Sequence, residues 1–401
     1  MSRHRLEAAD VARQYRDALL ERWGGRLSAW QRKALADIGS CRTAALGGHL
    51  EQCDSCSARR IAYNSCRNRH CPKCQATARD RWLEARSQEL LPVRYSHVVF
   101  TVPQQLAALA LDNPRVFYRL LFAAASQALL ELAADPRRLG AKIGFFAVLH
   151  TWSQTLLFHP HIHCVVPAGG LTLDGSRWIS SRRKFFLPVK PLSWLFRGKL
   201  LDGLRRAFAK GELRFPGSLA ELADARRFHA FRRELGKLEW VVYAKRPLRG
   251  PTHVLRYLAR YTHRVAISNG RLAALEDGRV RFRYRDSKRG NRIREMGLDA
   301  VEFLRRFLLH VLPRGLVKIR HFGWMANRNR SAALERCREL LAPAASADNP
   351  VAILSCERRQ ALERRCPACG QGRLRIVAWL SAAELLLAPP PFAAPRRLDS
   401  S

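Results

Sequence analysis

A cluster of cysteines near the N-terminus is the feature that most constrains how this 401-residue chain can fold. Six of its eleven cysteines fall between Cys41 and Cys74, in a segment too polar to bury a hydrophobic core of its own. Within this segment, fourteen residues separate Cys53-x2-Cys56 from Cys71-x2-Cys74. Two such pairs can surround one structural zinc ion with four thiolates. We therefore predict a zinc site formed by Cys53, Cys56, Cys71 and Cys74.

The remaining cysteines extend this prediction. Four more residues of the segment can complete a second zinc site, namely Cys41, His49, Cys66 and His70. Another pair, Cys366 and Cys369, lies near the C-terminus, and one pair cannot close a zinc site. It therefore requires Cys356, Cys337 or another subunit. No apolar export signal precedes the cysteines, which favours metal binding in a reducing compartment over disulfides.

The charge of the chain points to a polyanionic partner. Lys and Arg number 71 against 33 Asp and Glu, which gives a net charge of +38, and nucleic acid is the leading partner. A content of 47% hydrophobic residues excludes wholesale disorder, and no apolar run is long enough to predict a membrane span. We expect a cytoplasmic protein associated with the bacterial nucleoid. A DNA-docking face is predicted on the cysteine segment, from Arg59, Arg60, Arg67, Arg69 and Lys73.

The hydrophobic pattern predicts an α+β fold with an antiparallel sheet. Its first strands are expected at Tyr95–Pro103, Ile143–Trp152 and Leu156–Val166, with a long apolar helix from about Gln104 to Ala134. The predicted regions are an N-terminal helical segment (1–40), a zinc-binding DNA-docking domain (41–91), a catalytic domain (92–298) with a basic helical insertion at about 187–235, a mainly helical C-terminal region with the last cysteine pair (299–387), and a disordered tail (388–401).

A His-x-His pattern on the third predicted strand indicates a catalytic metal site. Alternate residues of a strand share a face, so His161 and His163 point the same way and can hold one divalent ion. His159 has the same parity, but Pro160 follows it directly. A third ligand is expected from Gln154 on the neighbouring hairpin strand. His150 is the second choice, and two satisfied core histidines are the alternative without metal.

Two tyrosines lie one turn apart on a helix predicted over Thr252–Val265. The helical period places Tyr257 and Tyr261 at the edge of the apolar stripe. Beside them runs a basic face formed by Arg256, Arg260 and Arg264. A phosphodiester held by a metal ion and guanidinium groups is electrophilic enough for a phenol to attack. On the helix alone, the favoured interpretation is two amphipathic tyrosines that cover the edge of a core.

The combination of a His-x-His strand with a paired-tyrosine helix resembles the HUH endonucleases. The whole chain resembles the insertion sequence 91 family of rolling-circle transposases. Four stretches carry the likeness, namely Tyr63–Cys74 with Cys41, His159–His163 with Gly169-Gly170, Tyr257–Tyr261 with Arg264, and Arg320–Arg328. The resemblance implies an HUH-type antiparallel sheet preceded by a zinc-binding domain.

The resemblance also implies an activity. Such an enzyme nicks single-stranded DNA at an element end, forms a 5′-phosphotyrosine bond through Tyr257 or Tyr261, and later rejoins the strand. His161 and His163 would hold Mg²⁺ or Mn²⁺, and Zn²⁺ would be structural. Gln154 matches no motif of the family and is expected from geometry alone. The chain contains no Walker A loop, so strand separation is expected from host replication or helicase functions.

Two other functions fit part of the pattern. A plasmid or phage rolling-circle replication initiator would use the same chemistry, and the zinc segment argues against it. A non-catalytic zinc-ribbon nucleic-acid-binding protein would explain the charge and the cysteines. It would leave His161, His163, Tyr257 and Tyr261 unexplained.

Overall fold

A computed structural model describes residues 5–182, 186–244, 266–286, 289–342 and 365–387. The α-helices, in chain order, are α1 (Ala8–Trp23), α2 (Ala29–Gly39), α3 (Pro72–Ser87), α4 (Ala107–Asp112), α5 (Pro114–Ala134), α6 (Val189–Ala209), α7 (Ala225–Lys237), α8 (Ala300–Leu308), α9 (Arg330–Leu341) and α10 (Ala382–Leu387). The strands are β1 (Gly48–Cys53), β2 (Arg59–Tyr63), β3 (Tyr95–Thr101), β4 (Gly144–Trp152), β5 (Phe158–Pro167), β6 (Gly169–Leu171), β7 (Trp178–Ser180), β8 (Val242–Ala244), β9 (Leu272–Glu276), β10 (Arg279–Asp286), β11 (Arg292–Asp299), β12 (Ile319–Gly323) and β13 (Leu374–Leu380).

The chain forms two compact units, each assembled from separate stretches of sequence. The first unit contains residues 1–78, 267–311 and 349–401. The second contains residues 79–266 and 312–348. The domain boundaries predicted above are consecutive ranges and stay a prediction.

A five-stranded sheet is the centre of the second unit. Its strand order is β12-β4-β5-β3-β8, and all of its neighbouring strands pair antiparallel. The β5 strand lies in the middle, between β4 and β3, and is buried along most of its length. A functional side chain on β5 is therefore held on both sides by ladders of backbone hydrogen bonds.

The long helix α5 supplies much of the hydrophobic core of this unit. It buries Phe117, Leu121 and Phe122 and starts at Pro114, whose missing amide is tolerated in a first helical turn. That proline also ends the shorter α4, so the single helix predicted from Gln104 to Ala134 is divided in two. By length and hydropathy α5 could cross a membrane, but 61% of its most apolar window is buried, as expected of a core helix.

The first unit contains two small sheets and a helical layer. The strands β13-β1-β2 form one antiparallel sheet, in which the C-terminal strand pairs with the N-terminal hairpin. The strands β11-β10-β9 form the other. Helices α1, α2 and α8 pack through apolar side chains, among them Ala12, Ile38 and Phe307. The Ser28–Gln31 capping box fixes the start of α2.

The observed architecture confirms the α+β class and the antiparallel sheet. The three predicted strands correspond to β3, β4 and β5 within a few residues at each end. The C-terminal region predicted to be mainly helical also contains a strand, because residues 319–323 form the edge strand β12 beside β4. The predicted helix over Thr252–Val265 and the predicted disordered tail lie outside the described residues.

Candidate metal centres

Three histidines on two adjacent strands form the candidate catalytic centre. The imidazoles of His161 and His163 lie on the same face of β5, as the alternation of a strand requires. On β4, His150 is the direct cross-strand partner of His161. On β5, Ile162 lies between His161 and His163 and is fully buried on the opposite face. The pleat and the register of one hairpin therefore bring the three imidazoles together.

The three ligand nitrogens lie within 4.8 Å of one another. Two nitrogens that share one ion at a bond length of roughly 2.1 Å lie about 3–4 Å apart, so small rotations of the rings suffice to bind an ion. The Nδ1–H of His161 donates to the carbonyl oxygen of His159 at 2.7 Å. This hydrogen bond leaves the Nε2 lone pair of His161 as the metal-binding position.

The third member of the histidine group is His150, the second choice for a ligand in the sequence pattern. Gln154 is exposed in the turn between β4 and β5, whereas His150 is buried and belongs to the histidine group. The choice of Gln154 assigned this residue to the hairpin strand, although the predicted strand itself ended at Trp152. In the structure β4 ends at Trp152, so position 154 has left the face that carries His161 and His163.

Burial keeps the His161 imidazole in the form that binds metal. Removal of the ring from solvent lowers the pKa of His161 to about 4. The imidazole is therefore neutral near pH 7, and only a neutral imidazole offers a lone pair to a cation. Burial also lowers the pKa of the adjacent His159.

A fourth histidine, which sequence reasoning did not select, supports this group. His97 on β3 is buried, and its Nε2 shares a hydrogen bond of 2.8 Å with Nδ1 of His163. The two rings stack with an interplanar angle of 6°. The sequence signal was a polar residue inside an apolar strand, which points to a satisfied polar partner.

The nucleophiles predicted on the paired-tyrosine helix cannot be placed against this centre. Tyr257 and Tyr261, with the neighbouring Arg256, Arg260 and Arg264, lie outside the described residues. Their roles stay predictions from the sequence.

The cysteines form two tetrads in the first unit, and their membership differs from the predicted sites. One tetrad consists of Cys41, Cys66, Cys71 and Cys74, and the other of Cys53, Cys56, Cys366 and Cys369. The single site predicted from Cys53, Cys56, Cys71 and Cys74 is therefore a wrong grouping. Each of its two pairs closes with cysteines that the sequence spacing did not indicate.

The tetrad of Cys41, Cys66, Cys71 and Cys74 has the geometry of a structural zinc site. Its sulfur atoms are 3.6 Å apart in the pairs Cys41–Cys74, Cys66–Cys74 and Cys41–Cys71. Four sulfurs at about 2.3 Å from a zinc ion are separated by roughly 3.8 Å. Hydrogen bonds from the other three thiols, first that of Cys41, lower the pKa of Cys74, which also lies in the first turn of α3.

The two histidines predicted for a second zinc site have other partners. His49 Nε2 lies 3.2 Å from a carboxylate oxygen of Glu51, and the ring packs against Trp379. His70 Nδ1 lies 3.1 Å from the side-chain oxygen of Asn68. Cys41 and Cys66 are brought into a tetrad as predicted, but with Cys71 and Cys74 in place of these histidines.

The cations predicted to dock DNA have different surroundings. Arg67 is exposed, whereas Arg69 is half-buried, and burial lowers its pKa. Lys73 forms an ion pair of 2.6 Å with Glu7, and both side chains are largely covered. A neutralised, half-buried lysine contributes little to phosphate binding, so the exposed Arg67 is better placed to reach a phosphate than Arg69 or Lys73.

Two known protein families match separate regions of the chain, one that contains the histidine group and one that contains the N-terminal cysteines. The family described as "Putative transposase" matches residues 144–332, which include the three histidines of the candidate centre. The family described as "Transposase zinc-binding domain" matches residues 11–102. This second match includes the whole tetrad of Cys41, Cys66, Cys71 and Cys74 but ends before Cys366.

Two curated relatives resemble the chain over most of its length. One is "Putative transposase y4qJ" of Sinorhizobium fredii (strain NBRC 101917 / NGR234), 50% identical over 381 residues, which cover 93% of this chain and 95% of the relative. Another is "Transposase for insertion sequence element IS801" of Pseudomonas savastanoi pv. phaseolicola, 30% identical over 314 residues, which cover 78% of this chain and 74% of the relative. No solved structure matches the chain significantly.

Proposed function

This chain belongs to the insertion sequence 91 family of transposases, so its partner is DNA, and we propose that it nicks and rejoins single-stranded DNA at insertion-element ends by rolling-circle chemistry. The group of His150, His161 and His163 is the observation that carries this proposal. A zinc-binding protein without catalysis gives no reason for three imidazoles to converge on one face of a central hairpin. We expect the protein to act in the bacterial cytoplasm, at the nucleoid.

The proposed catalytic ion is Mg²⁺ or Mn²⁺, held by His150, His161 and His163. Among the residues that the structure describes, no carboxylate joins this group. Mg²⁺ prefers oxygen ligands, whereas imidazole nitrogen suits later first-row metals, so we expect Mn²⁺ to support activity better. When bound, such an ion polarises a phosphoryl oxygen of the scissile phosphodiester.

In the proposed reaction a tyrosine residue forms a covalent bond to DNA. The phenol oxygen of Tyr257 or Tyr261 attacks the phosphorus atom, and the bond from phosphorus to the 3′-oxygen breaks. The phenol loses its proton, and the leaving 3′-oxygen takes one up. Attack of a 3′-hydroxyl on the phosphotyrosine later restores the phosphodiester and releases the tyrosine, so no external energy source is consumed.

We propose that zinc has a structural role in this protein. The N-terminal region matches a zinc-binding family. We propose Cys41, Cys66, Cys71 and Cys74 as the zinc ligands in this region. A closed tetrathiolate leaves no position for a substrate. The exposed Arg67 of the same segment is available to contact the phosphate backbone.

A covalent-adduct assay tests the proposed function. The full chain is incubated with labelled single-stranded oligonucleotides from candidate element ends and Mn²⁺, then analysed under denaturing conditions. We expect a protein–DNA adduct that survives denaturation with one end sequence and is absent with duplex DNA and with a scrambled sequence. Absence of an adduct with every end sequence would contradict the proposal.

His97 is proposed as a positioning residue for the metal ligand His163. Loss of its hydrogen bond leaves the His163 ring free to turn, so we expect His97→Ala to raise the Mn²⁺ concentration for half-maximal cleavage by roughly 10- to 100-fold. Cleavage at saturating Mn²⁺ should change much less. His97→Gln, which retains a hydrogen-bond acceptor, should recover part of the loss.

The control for this prediction is Ser96→Ala. This variant changes the residue that precedes His97 on β3, and its side chain lies on the opposite face of the strand. It should leave the Mn²⁺ dependence unchanged. Equal Mn²⁺ dependence of His97→Ala and the unmodified protein would show that the His97–His163 hydrogen bond does not position the ligand.

A further inference from the structure

The second cysteine tetrad joins the two ends of the chain. Cys53 is the last residue of β1 and Cys56 lies in the turn that follows, whereas Cys366 and Cys369 lie in the turn that precedes β13. The sulfur atoms of Cys53 and Cys369 are 3.8 Å apart, and those of Cys56 and Cys366 are 3.6 Å apart. In sequence these pairs are separated by 316 and 310 residues.

The sulfur spacing fits a zinc ion and no disulfide. Four thiolates around one zinc ion at about 2.3 Å are roughly 3.8 Å apart, which is the spacing observed across the two turns. A disulfide requires about 2.05 Å, and all four cysteines are free. All four sulfurs also lie within 4.8 Å of one another. The arrangement is therefore a tetrathiolate and not two unrelated pairs.

Backbone amides turn toward the sulfurs on both sides of the tetrad. The amides of Ser55 and Cys56 lie 3.4 and 3.5 Å from the Cys53 sulfur, and the amide of Gly372 lies 3.4 Å from that of Cys369. Amide hydrogen bonds of this kind stabilise a thiolate over a thiol. A neutral thiol sulfur is only a weak acceptor and gains less from such donors.

The position of Gly372 shows how tightly the two turns approach. A Cβ atom at residue 372 would lie 2.4 Å from the Cys53 sulfur and 2.6 Å from the Ser55 Cβ. Only glycine allows this contact. The turn of one chain end is therefore shaped to fit the turn of the other.

Hydrogen bonds outside the tetrad fix the same two turns. The Arg373 amide donates to the Asp54 carboxylate at 2.8 Å, and the Asp54 amide donates to the Arg373 carbonyl at 3.0 Å. From this point the β1 and β13 strands pair along their whole length, from Cys53 opposite Leu374 to Gly48 opposite Leu380. The tetrad thus stands at the end of an antiparallel ladder that has one register shift, between Leu50 and Glu51.

We propose that Cys53, Cys56, Cys366 and Cys369 bind a second structural zinc ion, which fastens the C-terminal strand β13 to the N-terminal hairpin. Its ligands come half from within and half from beyond the region matched by the zinc-binding family. The cysteine spacing alone predicted that Cys366 and Cys369 require Cys356, Cys337 or another subunit as partners. The structure supplies them from the N-terminal turn of the same chain.

Cysteine alkylation of the unmodified full chain tests this proposal. The protein is treated with graded amounts of a zinc chelator, pulsed with N-ethylmaleimide, and mapped by mass spectrometry while released zinc is measured. We expect two zinc ions per chain. We also expect Cys53, Cys56, Cys366 and Cys369 to become reactive together, with release of one ion. Alkylation of Cys366 and Cys369 while Cys53 and Cys56 stay protected would overturn the proposal, as would a content of one zinc ion per chain.

Paired variants test which cysteines share an ion. Cys53→Ser with Cys56→Ser should lose one zinc ion per chain, and Cys366→Ser with Cys369→Ser should also lose one. The quadruple variant should lose that same single ion and retain the other. Loss of a further ion in the quadruple variant would place the two pairs in different sites.

Two controls complete the comparison. Cys356→Ser should keep both zinc ions, and loss of one would return Cys356 as the partner of the C-terminal pair. Cys71→Ser with Cys74→Ser removes ligands of the other tetrad. In that variant the four cysteines of the second site should still become reactive together.

Discussion

Replacing both tyrosines of the predicted nucleophile pair should abolish covalent DNA attachment. In the double variant Tyr257→Phe with Tyr261→Phe, the attacking oxygens are absent, whereas the aromatic rings of both side chains are retained. We expect the yield of adduct to fall by at least roughly 1,000-fold, as for the removal of other catalytic nucleophiles. DNA affinity, measured by fluorescence anisotropy without added metal, should change less than about threefold.

The single variants determine how the two tyrosines share the work. If both act, each of Tyr257→Phe and Tyr261→Phe should retain an adduct with one element end and fail to complete strand transfer. Tyr284→Phe, on the β10 strand of the first unit, is the matched control and should behave like the unmodified protein. An adduct that persists in the double variant would mean that another residue is the nucleophile.

Replacing His161 by alanine should remove most cleavage and spare binding. His161 belongs to one group with His150 and His163, and its side chain is oriented by the carbonyl of His159. Loss of a ligand weakens the polarisation of the scissile phosphate, so we expect cleavage to fall by roughly 100- to 1,000-fold. The measurement is the single-turnover cleavage rate at saturating DNA across a range of Mn²⁺ concentrations.

The control for His161→Ala lies two residues away on the same strand. His159 has the same parity on β5 but stands outside the histidine group, and His159→Ala keeps the backbone carbonyl that orients His161. Its cleavage should stay within about threefold of the unmodified rate. Equal losses in the two variants would show that the effect arises from disturbance of β5 and not from lost metal binding.

The same assay decides between the two choices for the third ligand. His150→Ala should match the loss seen with His161→Ala, because His150 lies directly across the strand pair from it. Gln154→Ala should cost little, since this side chain is exposed in the turn. The reverse result would restore Gln154 and exclude His150 from the centre.

Local patterns in the sequence predicted the elements better than their partners. The alternation of His161 and His163 around Ile162 correctly predicted a shared face, because strand geometry alone determines it. The register of the hairpin brought in His150, and the pattern of alternation within each strand does not determine which residues of two strands lie opposite each other.

The cysteine groupings failed for a related reason. Spacing identifies pairs such as Cys53-x2-Cys56, but the fold decides which pairs meet. The return of residues 374–380 to pair with β1 left no periodic signal that connects the two ends of the chain. A histidine in an apolar strand is visible in the sequence. His97 was nevertheless missed, because its contact with His163 depends on the pairing of β3 with β5.

The pairing of β1 with β13 has a consequence for synthesis on the ribosome. Cys56 leaves the ribosome 310 residues before Cys366. At roughly 5–20 residues per second, the N-terminal hairpin therefore waits about 15–60 s for its third strand and for two of its four thiolates. During that interval the edge of β1 is unpaired, and Cys53 and Cys56 lack the other two ligands of the proposed zinc site, Cys366 and Cys369. Termination of translation before β13 would leave this sheet incomplete, so only chains that extend through Leu380 can complete it.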